Sequence, residues 1–307
     1  MNIKQTTSTI LMIRPVNFGF NEQTAGSNAF QNRNAEQEQV QARALKEFDN
    51  IVSVLCENGV DVIVVDDTSE PHTPDSIFPN NWVSFHGDGN VFLYPMMAEN
   101  RRLERREDII MRLEDRFNVK HVVDLSRFEH EHKFLEGTGS MVLDRENKIA
   151  YACLSPRTDK EVLDVFCKES GFKPVLFHAV DENAMDIYHT NVLMCVGSGF
   201  VVICLESIKD NGEKEQLLNS FKKTKKQVID ISFDQMNHFA GNMLEVENKL
   251  GESLVVMSKS AWNSLNYDQK AILSSFSKPV YADINTIESN GGGSARCMMA
   301  EVHLPPN

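Results

Sequence analysis

No apolar run in this sequence approaches the roughly 18 residues that a membrane-spanning helix needs, so a membrane partner is not expected. No CxxC or CxxH pair occurs, and the six cysteines are scattered, which excludes a zinc framework by spacing. The chain opens without the pattern of a signal peptide, so a disulfide framework is not expected either. The expectation is six reduced thiols in a cytoplasmic protein. Positive charge is scarce: 31 basic residues stand against 44 acidic ones, a net charge of -13. That balance disfavours a nucleic-acid partner, because phosphate contact is largely cationic. The one basic cluster, FKKTKK with Lys222, Lys223, Lys225 and Lys226, reads as the solvated end of a helix. No Pro/Ser/Gly-rich linker interrupts the chain, and its composition, 41% hydrophobic and 24% charged, is ordinarily globular. One domain over residues 1–307 is expected.

What the sequence does contain is repetition. Hairpin patterns, two apolar stretches around a turn rich in Gly, Asn or Asp, begin at residues 82, 140, 191 and 242, spacings of 58, 51 and 51. A polar stretch of helical pattern follows each hairpin, such as DKEVLDVFCKES, and then a short strand such as KPVLFH. A period near 50 residues points to units arranged radially or in a row. A fifth unit can be assembled from both chain ends, TILMIRP (9–15) pairing with CMMAEVHLP (297–305) to close a ring. A helix from about Asn34 to Glu57, with Val40, Phe48, Ile51, Val52 and Leu55 on one side and Gly59 as its stop, belongs to that unit.

The residues that carry chemistry fall just before the first strand of each unit. They are Asp75, Asn80 and Asn81 in PDSIFPNNW, Glu136 in FLEGTGS, Asp186, His189 and Asn191 in DIYHTN, His238 and Asn242 in NHFAGN, and Cys297 in GGGSARCMM. Singly, each has an ordinary structural use: a His at such a position hydrogen-bonds, Asn serves turns, and Glu before GTG can accept from the following N–H groups. In a ring, equivalent positions lie at one height, so together they converge on one face. A Cys beside a His makes a nucleophile with its acid/base partner. Arg296 and the glycine-rich turn could favour the thiolate, and Glu136 could orient the imidazole. Met96–Met97 and Met298–Met299 read as core filler.

With these residues in place, the sequence resembles the guanidine-modifying enzymes of the pentein superfamily, the amidinotransferase and arginine deiminase group, from LMIRP to GGGSARC. The resemblance implies an α/β fold, a five-bladed α/β propeller of ββαβ modules. It implies a catalytic set of Cys297, His189 and Glu136, and it matches the DxxFxxD stretch at Asp75, Phe78 and Asn81. It makes Arg157 the first choice for the substrate α-carboxylate and Arg101 or Arg102 the second, with Asp75 for the α-amino group. Where relatives hold a guanidinium with paired aspartates, this chain has Asn81 and Asn191. An amide does not compensate a buried cation, but it can both donate and accept, which suits a neutral ureido group.

MIRPVNFGFNEQTAGSNAFQ and PDSIFPNNWVSFH also resemble the branch known as citrulline-utilisation hydrolases. The reaction expected is citrulline to ornithine, ammonia and carbon dioxide, with Asn242 also near the substrate and with neither metal nor organic cofactor. Three rivals stand beside it. One is an arginine deiminase, an arginine dihydrolase or a dimethylarginine hydrolase-like enzyme. Another is a non-catalytic propeller that binds partners, disfavoured by the joint presence of Cys297, His189 and Glu136. The last is a papain-like protease, disfavoured by the C-terminal position of the cysteine. A homo-oligomer is left open.

Overall fold

The structure, a computed structural model, describes residues 4–26, 28, 30–31 and 37–307. Its strands fall into five three-stranded sheets. The first unit holds β1 (Thr9–Arg14) and β2 (Asp61–Asp66). The second holds β3 (Val83–Phe85), β4 (Asn90–Leu93) and β5 (His121–Asp124), and the third β6 (Val142–Asp144), β7 (Ile149–Cys153) and β8 (Lys173–Phe177). The fourth holds β9 (Met194–Val196), β10 (Phe200–Ile203) and β11 (Gln227–Asp230), the fifth β12 (Leu244–Glu247), β13 (Ser253–Ser258) and β14 (Lys278–Ala282). The chain then returns to the first unit as β15 (Ala300–Glu301).

Every sheet is built alike, with an antiparallel pair followed by a parallel one: β3 with β4 and β4 with β5, β6 with β7 and β7 with β8, and so on. In the first unit β15 takes the place of the first strand. It runs antiparallel to β1 with Ile10 opposite Glu301, while β1 runs parallel to β2. The two chain ends therefore complete one sheet, as the terminal sequences suggest. The parallel step needs a crossover, and the polar stretches supply it as helices. In Lys160–Ser170, Asp159 caps the first turn by accepting from Glu161 and Val162 N–H, and Gly171 ends the helix at φ 75°. The helix expected from Asn34 is described from Gln37 to Glu57, and its expected first residues lie outside the described ones.

The first strands of the sheets are buried from end to end or nearly so. β15 touches β3, β6 touches β9, and β9 touches β12. The one-turn helix Gly137–Ser140 bridges β3 to β6, and the helix Gln37–Glu57 packs on β14 and on the helix Asn285–Gly291, joining the fifth unit to the first. The contacts are thus cyclic.

The apolar faces of neighbouring units merge into shared clusters, such as Leu193, Phe200, Val202, Phe221 and Met257, all fully buried. Each such side chain contributes about 1.5–3 kcal/mol relative to exposure. Met96, Met298 and Met299 are buried in these clusters as expected, whereas Met97 is only half-buried and belongs to none of them. The FKKTKK cluster is not uniformly solvated: Lys226 is buried, 3.4 Å from Asp144 and donating to Ser198 O at 3.0 Å. Among the described residues no helix is long and apolar enough to cross a membrane.

Candidate active site

Short turns precede the buried first strands and set what they present. Pro79–Asn81 is a single 3-10 turn before β3, and Gly137–Ser140 and Thr190–Leu193 are single α-turns before β6 and β9. Glu136 stands at the N-terminal end of its turn, where its carbonyl accepts Gly139 and Ser140 N–H while its own N–H donates to Ser140 Oγ at 2.8 Å. Gly137 is required there: at φ 48°, a Cβ would come 2.2 Å from Asn80 O.

Glu136 Oε2 and His189 Nε2 lie 2.8 Å apart. Arg157 Nη1 is 3.5 Å from the same oxygen, and Met97 N–H donates to Oε1 at 3.0 Å. Burial alone would raise the Glu136 carboxyl, but Arg157 and the imidazole outweigh it and hold the group ionised, well below the usual carboxylate range. Burial pushes His189 down to about 4 against the pull of Glu136, so the resting ring is neutral. With an ionised carboxylate at Nε2, the proton sits on that nitrogen and Nδ1 is the basic one. Nδ1 looks over Gly139, where a Cβ would come 2.8 Å from it and 2.4 Å from Asn81 Nδ2.

Cys297 is buried, and its sulfur is 3.3 Å from the amide nitrogens of both Asn191 and Asn242. Asn242 is fixed from behind, donating to Asn191 O at 2.9 Å and accepting Arg296 N–H at 3.0 Å. Cys153, Cys167, Cys195 and Cys204 are also buried, in apolar surroundings that push their thiols up to about 11 or 12.

Asp75, Phe78, Asn81, Arg101, Arg157, His189 and Cys297 line one narrow cavity together with Gly291, Gly292 and Gly293. Arg101 is fully committed to its neighbours. It holds Glu104 through Nε and Nη2 at 2.8 and 2.9 Å and donates from Nη1 to Asn81 Oδ1 at 2.9 Å. Burial pushes Glu104 up to about 7 and raises Asp75, with Arg101 opposing both. Asp75 Oδ2 accepts from Asn21 Nδ2 at 2.7 Å, whereas Asp75 Oδ1, Asn81 Nδ2 and Asn191 Oδ1 are buried with no hydrogen-bond partner among the described residues. Arg157 lies 4.9 Å over the Tyr188 ring and donates to Thr24 O at 3.3 Å.

The expected residues are placed as follows. Asn191 and Asn242 reach the Cys297 sulfur with their amide nitrogens and are not part of the cavity wall. Arg101, the second choice for the substrate carboxylate, lines the cavity while bonded to Asn81 and Glu104. Arg102 turns to Met96 O and Met97 O. Arg296 points away from Cys297 to Glu301 at 2.7 Å, because the buried carboxylate of β15 is the nearest counter-charge. Asp186 and His238 are exposed, the latter bonded to Asp234 O at 2.8 Å. Asn80 is buried but outside the cavity wall. Cys56, expected among apolar neighbours, is exposed.

Sequence reasoning missed Asn21, Tyr188 and Gly139. Tyr188 O–H donates to Gly292 O at 2.7 Å and so ties the His189 turn to the glycine turn before Cys297. Its place next to His189 was the one available signal.

A family model described as N,N dimethylarginine dimethylhydrolase, eukaryotic, matches residues 14–304. The chain belongs to this family. Solved structures share the fold of this dimethylarginine dimethylhydrolase family member at low identity. The N-terminal domain of ArgZ, in a variant covalently bonded to a reaction intermediate, aligns at 19% identity and TM-score 0.73, covering 97% of this chain and 98% of that one. Full-length ArgZ, an arginine dihydrolase from the ornithine-ammonia cycle in cyanobacteria, is covered over 41% of its length. The dimethylarginine hydrolase from Pseudomonas aeruginosa, complexed with citrulline, aligns at 14% identity and TM-score 0.65, covering 96% and 99% of the two chains. No curated protein was found to match this family member.

Proposed function

We propose that this protein is a cysteine-dependent hydrolase of the ureido group of a free amino acid, citrulline to ornithine, ammonia and carbon dioxide, on a single five-bladed propeller domain of a cytoplasmic protein. One observation carries the substrate. Arg101, kept charged by Glu104 and Asp75, takes Asn81 Oδ1 at 2.9 Å and so fixes the amide with Nδ2 turned to the cavity. The group presented is therefore a donor without an acceptor. A ureido carbonyl oxygen supplies that acceptor; a guanidinium, whose nitrogens only donate, does not.

In the proposed reaction Cys297 Sγ gives its proton to His189 Nδ1 and attacks the ureido carbon. The bond from that carbon to the terminal nitrogen breaks, and the nitrogen leaves as ammonia with the proton from His189. Water, losing a proton to His189, then attacks the thiocarbamate. The carbon–sulfur bond breaks, Cys297 recovers its proton, and the carbamate loses carbon dioxide to leave ornithine. Glu136 holds the imidazole in the tautomer that this needs and stabilises its charged form. Arg157 is assigned the substrate α-carboxylate, and Asp75, through its unpartnered Oδ1, the α-amino group. Asn191 and Asn242 are assigned to the sulfur, where their N–H groups favour negative charge.

A second reading, hydrolysis of arginine or its dimethylated form, is favoured by the family and by Asp75, whose buried oxygen could pair a guanidinium. The test is one incubation series with citrulline, arginine and dimethylarginine, measuring ornithine, citrulline, ammonia and dimethylamine. Ornithine from citrulline supports the first reading. Citrulline and dimethylamine from dimethylarginine, with citrulline itself inert, supports the second.

A further inference from the structure

The first strands of the sheets have a second set of ends. Asn81, Ser140 and Cys297 precede β3, β6 and β15, whereas His86 and Arg145 directly follow β3 and β6, and His303 lies just past β15. Four residues separate Asn81 from His86, three of them the strand Val83–Phe85, which alone spans about 10 Å. At that far end His86, Arg145, Lys148, Phe172 and His303 line a cavity of their own, which shares no residue with the candidate active site.

Its charge is unbalanced. Arg145 and Arg296 are both buried and share one buried carboxylate, Glu301, which is 2.7 Å from Arg296 Nη2 and only 3.4 Å from Arg145 Nε. Among the described residues Arg145 makes no other side-chain hydrogen bond. Glu245, also buried, accepts from Ser198, Ser253 and Ser277 and lies outside the cavity wall. At the rim, Lys4 pairs with Glu247 at 3.1 Å, and Lys148, 4.6 Å from the Phe172 ring, has Asp88 nearby. The cavity wall itself carries Lys4, Arg145 and Lys148 against Asp88 and Glu247. A buried cation short of a partner is costly. His303 Nε2, 3.5 Å from Glu301, is buried with no other partner among the described residues, while burial holds the ring neutral, its pKa pushed down to about 4 against the pull of Glu301. A neutral imidazole can still donate.

We propose that this cavity binds one small oxyanion, a phosphate or a carboxylate, which the outer nitrogens of Arg145 grip as a fork, with Lys148 at the rim and His303 as an additional donor. The site lies on the opposite face from the cysteine and does not depend on which substrate the protein hydrolyses.

Calorimetric titration of the full chain in chloride-free buffer tests it, with inorganic phosphate and acetate as separate probes that distinguish the two sources. The expected result is saturable binding of at least one of them at about one per chain, weakened on the order of tenfold or more by Arg145→Gln and by a smaller factor by Lys148→Ala. Arg157→Gln, which alters the cysteine cavity, should leave the affinity unchanged. No saturable binding of either anion would overturn the proposal. So would affinity lost in Arg157→Gln but kept in Arg145→Gln, which would locate the anion beside Cys297. Should Arg145→Gln not fold, wild-type crystals soaked in bromide decide: an anomalous peak beside Arg145 supports the site and its absence overturns it.

Discussion

The substitution Asn81→Asp inverts the group that the cavity presents. In the native protein Asn81 Nδ2 is a buried N–H without a partner among the described residues, fixed by the 2.9 Å bond from Arg101 to Oδ1. A carboxylate there keeps the bond to Arg101 but offers the ureido oxygen a lone pair in place of a proton. The loss on citrulline is a hydrogen bond plus an unsatisfied buried acceptor, about 1–3 kcal/mol. A guanidinium gains a charge-assisted bond of about 1.5–3 kcal/mol. The ratio of kcat/KM for citrulline over arginine should therefore fall by about 2.5 kcal/mol at the low end, roughly 70-fold. The low end is appropriate because Asp75 and Glu104 already crowd Arg101, and Glu104 is already raised to about 7. A third carboxylate would drive one of them to take a proton. Steady-state rates on both substrates measure the ratio. A ratio unchanged within about twofold, under roughly 0.5 kcal/mol, would refute the claim that Asn81 reads the end group.

Further outcomes follow from the same geometry. Gly139→Ala, at a backbone conformation open to alanine, should cost on the order of 100-fold in kcat with the fold kept, because its Cβ would sit 2.4 Å from Asn81 Nδ2 and 2.8 Å from His189 Nδ1. Full activity in that variant would mean that the two groups do not converge there. Brief alkylation at neutral pH should modify the exposed Cys56 as well as Cys297, while the thiols of Cys153, Cys167, Cys195 and Cys204 stay unmodified. Citrulline should protect Cys297 alone, and peptide mapping reads this directly. Glu288, bonded to Ser294 Oγ at 2.6 Å behind the Cys297 turn, has its carboxyl raised by burial to about 7. Between pH 4.5 and 7 the native protein keeps a proton that the unfolded chain has released, so this group's stabilising effect is lost as pH rises through that window. Glu288→Gln should thus gain on wild type between pH 5 and pH 8 by up to about 3 kcal/mol in urea unfolding, and a pH-independent difference would contradict the assignment.

Much of the architecture can be read from the chain because the repeat is written in local pattern. Apolar pairs around Gly- or Asn-rich turns became β3–β4, β6–β7, β9–β10 and β12–β13, and the terminal stretches became β1 and β15 in one sheet. The position of the chemistry just before the first strands was legible for the same reason. What lies along each of those strand starts was not. Whether an amide turns to the cavity, as Asn81 does, or to the Cys297 sulfur, as Asn191 and Asn242 do, depends on which unit it meets. Arg296 adjoins Cys297 in sequence, yet Glu301 draws its guanidinium away. Lys226, in a run of solvated lysines, is drawn inward by Asp144 of a different sheet. Long-range charge pairing leaves no trace in periodicity.

In the proposed reaction Cys297 forms a covalent intermediate with the carbon of a ureido group. The most direct measurement is acid quenching during turnover with citrulline, followed by peptide mass analysis of wild type and of Cys297→Ser. The expected result is a thiocarbamate adduct on the peptide carrying Cys297, none in the variant, and ornithine as the amino-acid product. An adduct on another cysteine, or no ornithine and no adduct from citrulline under conditions where dimethylarginine is consumed, would contradict it.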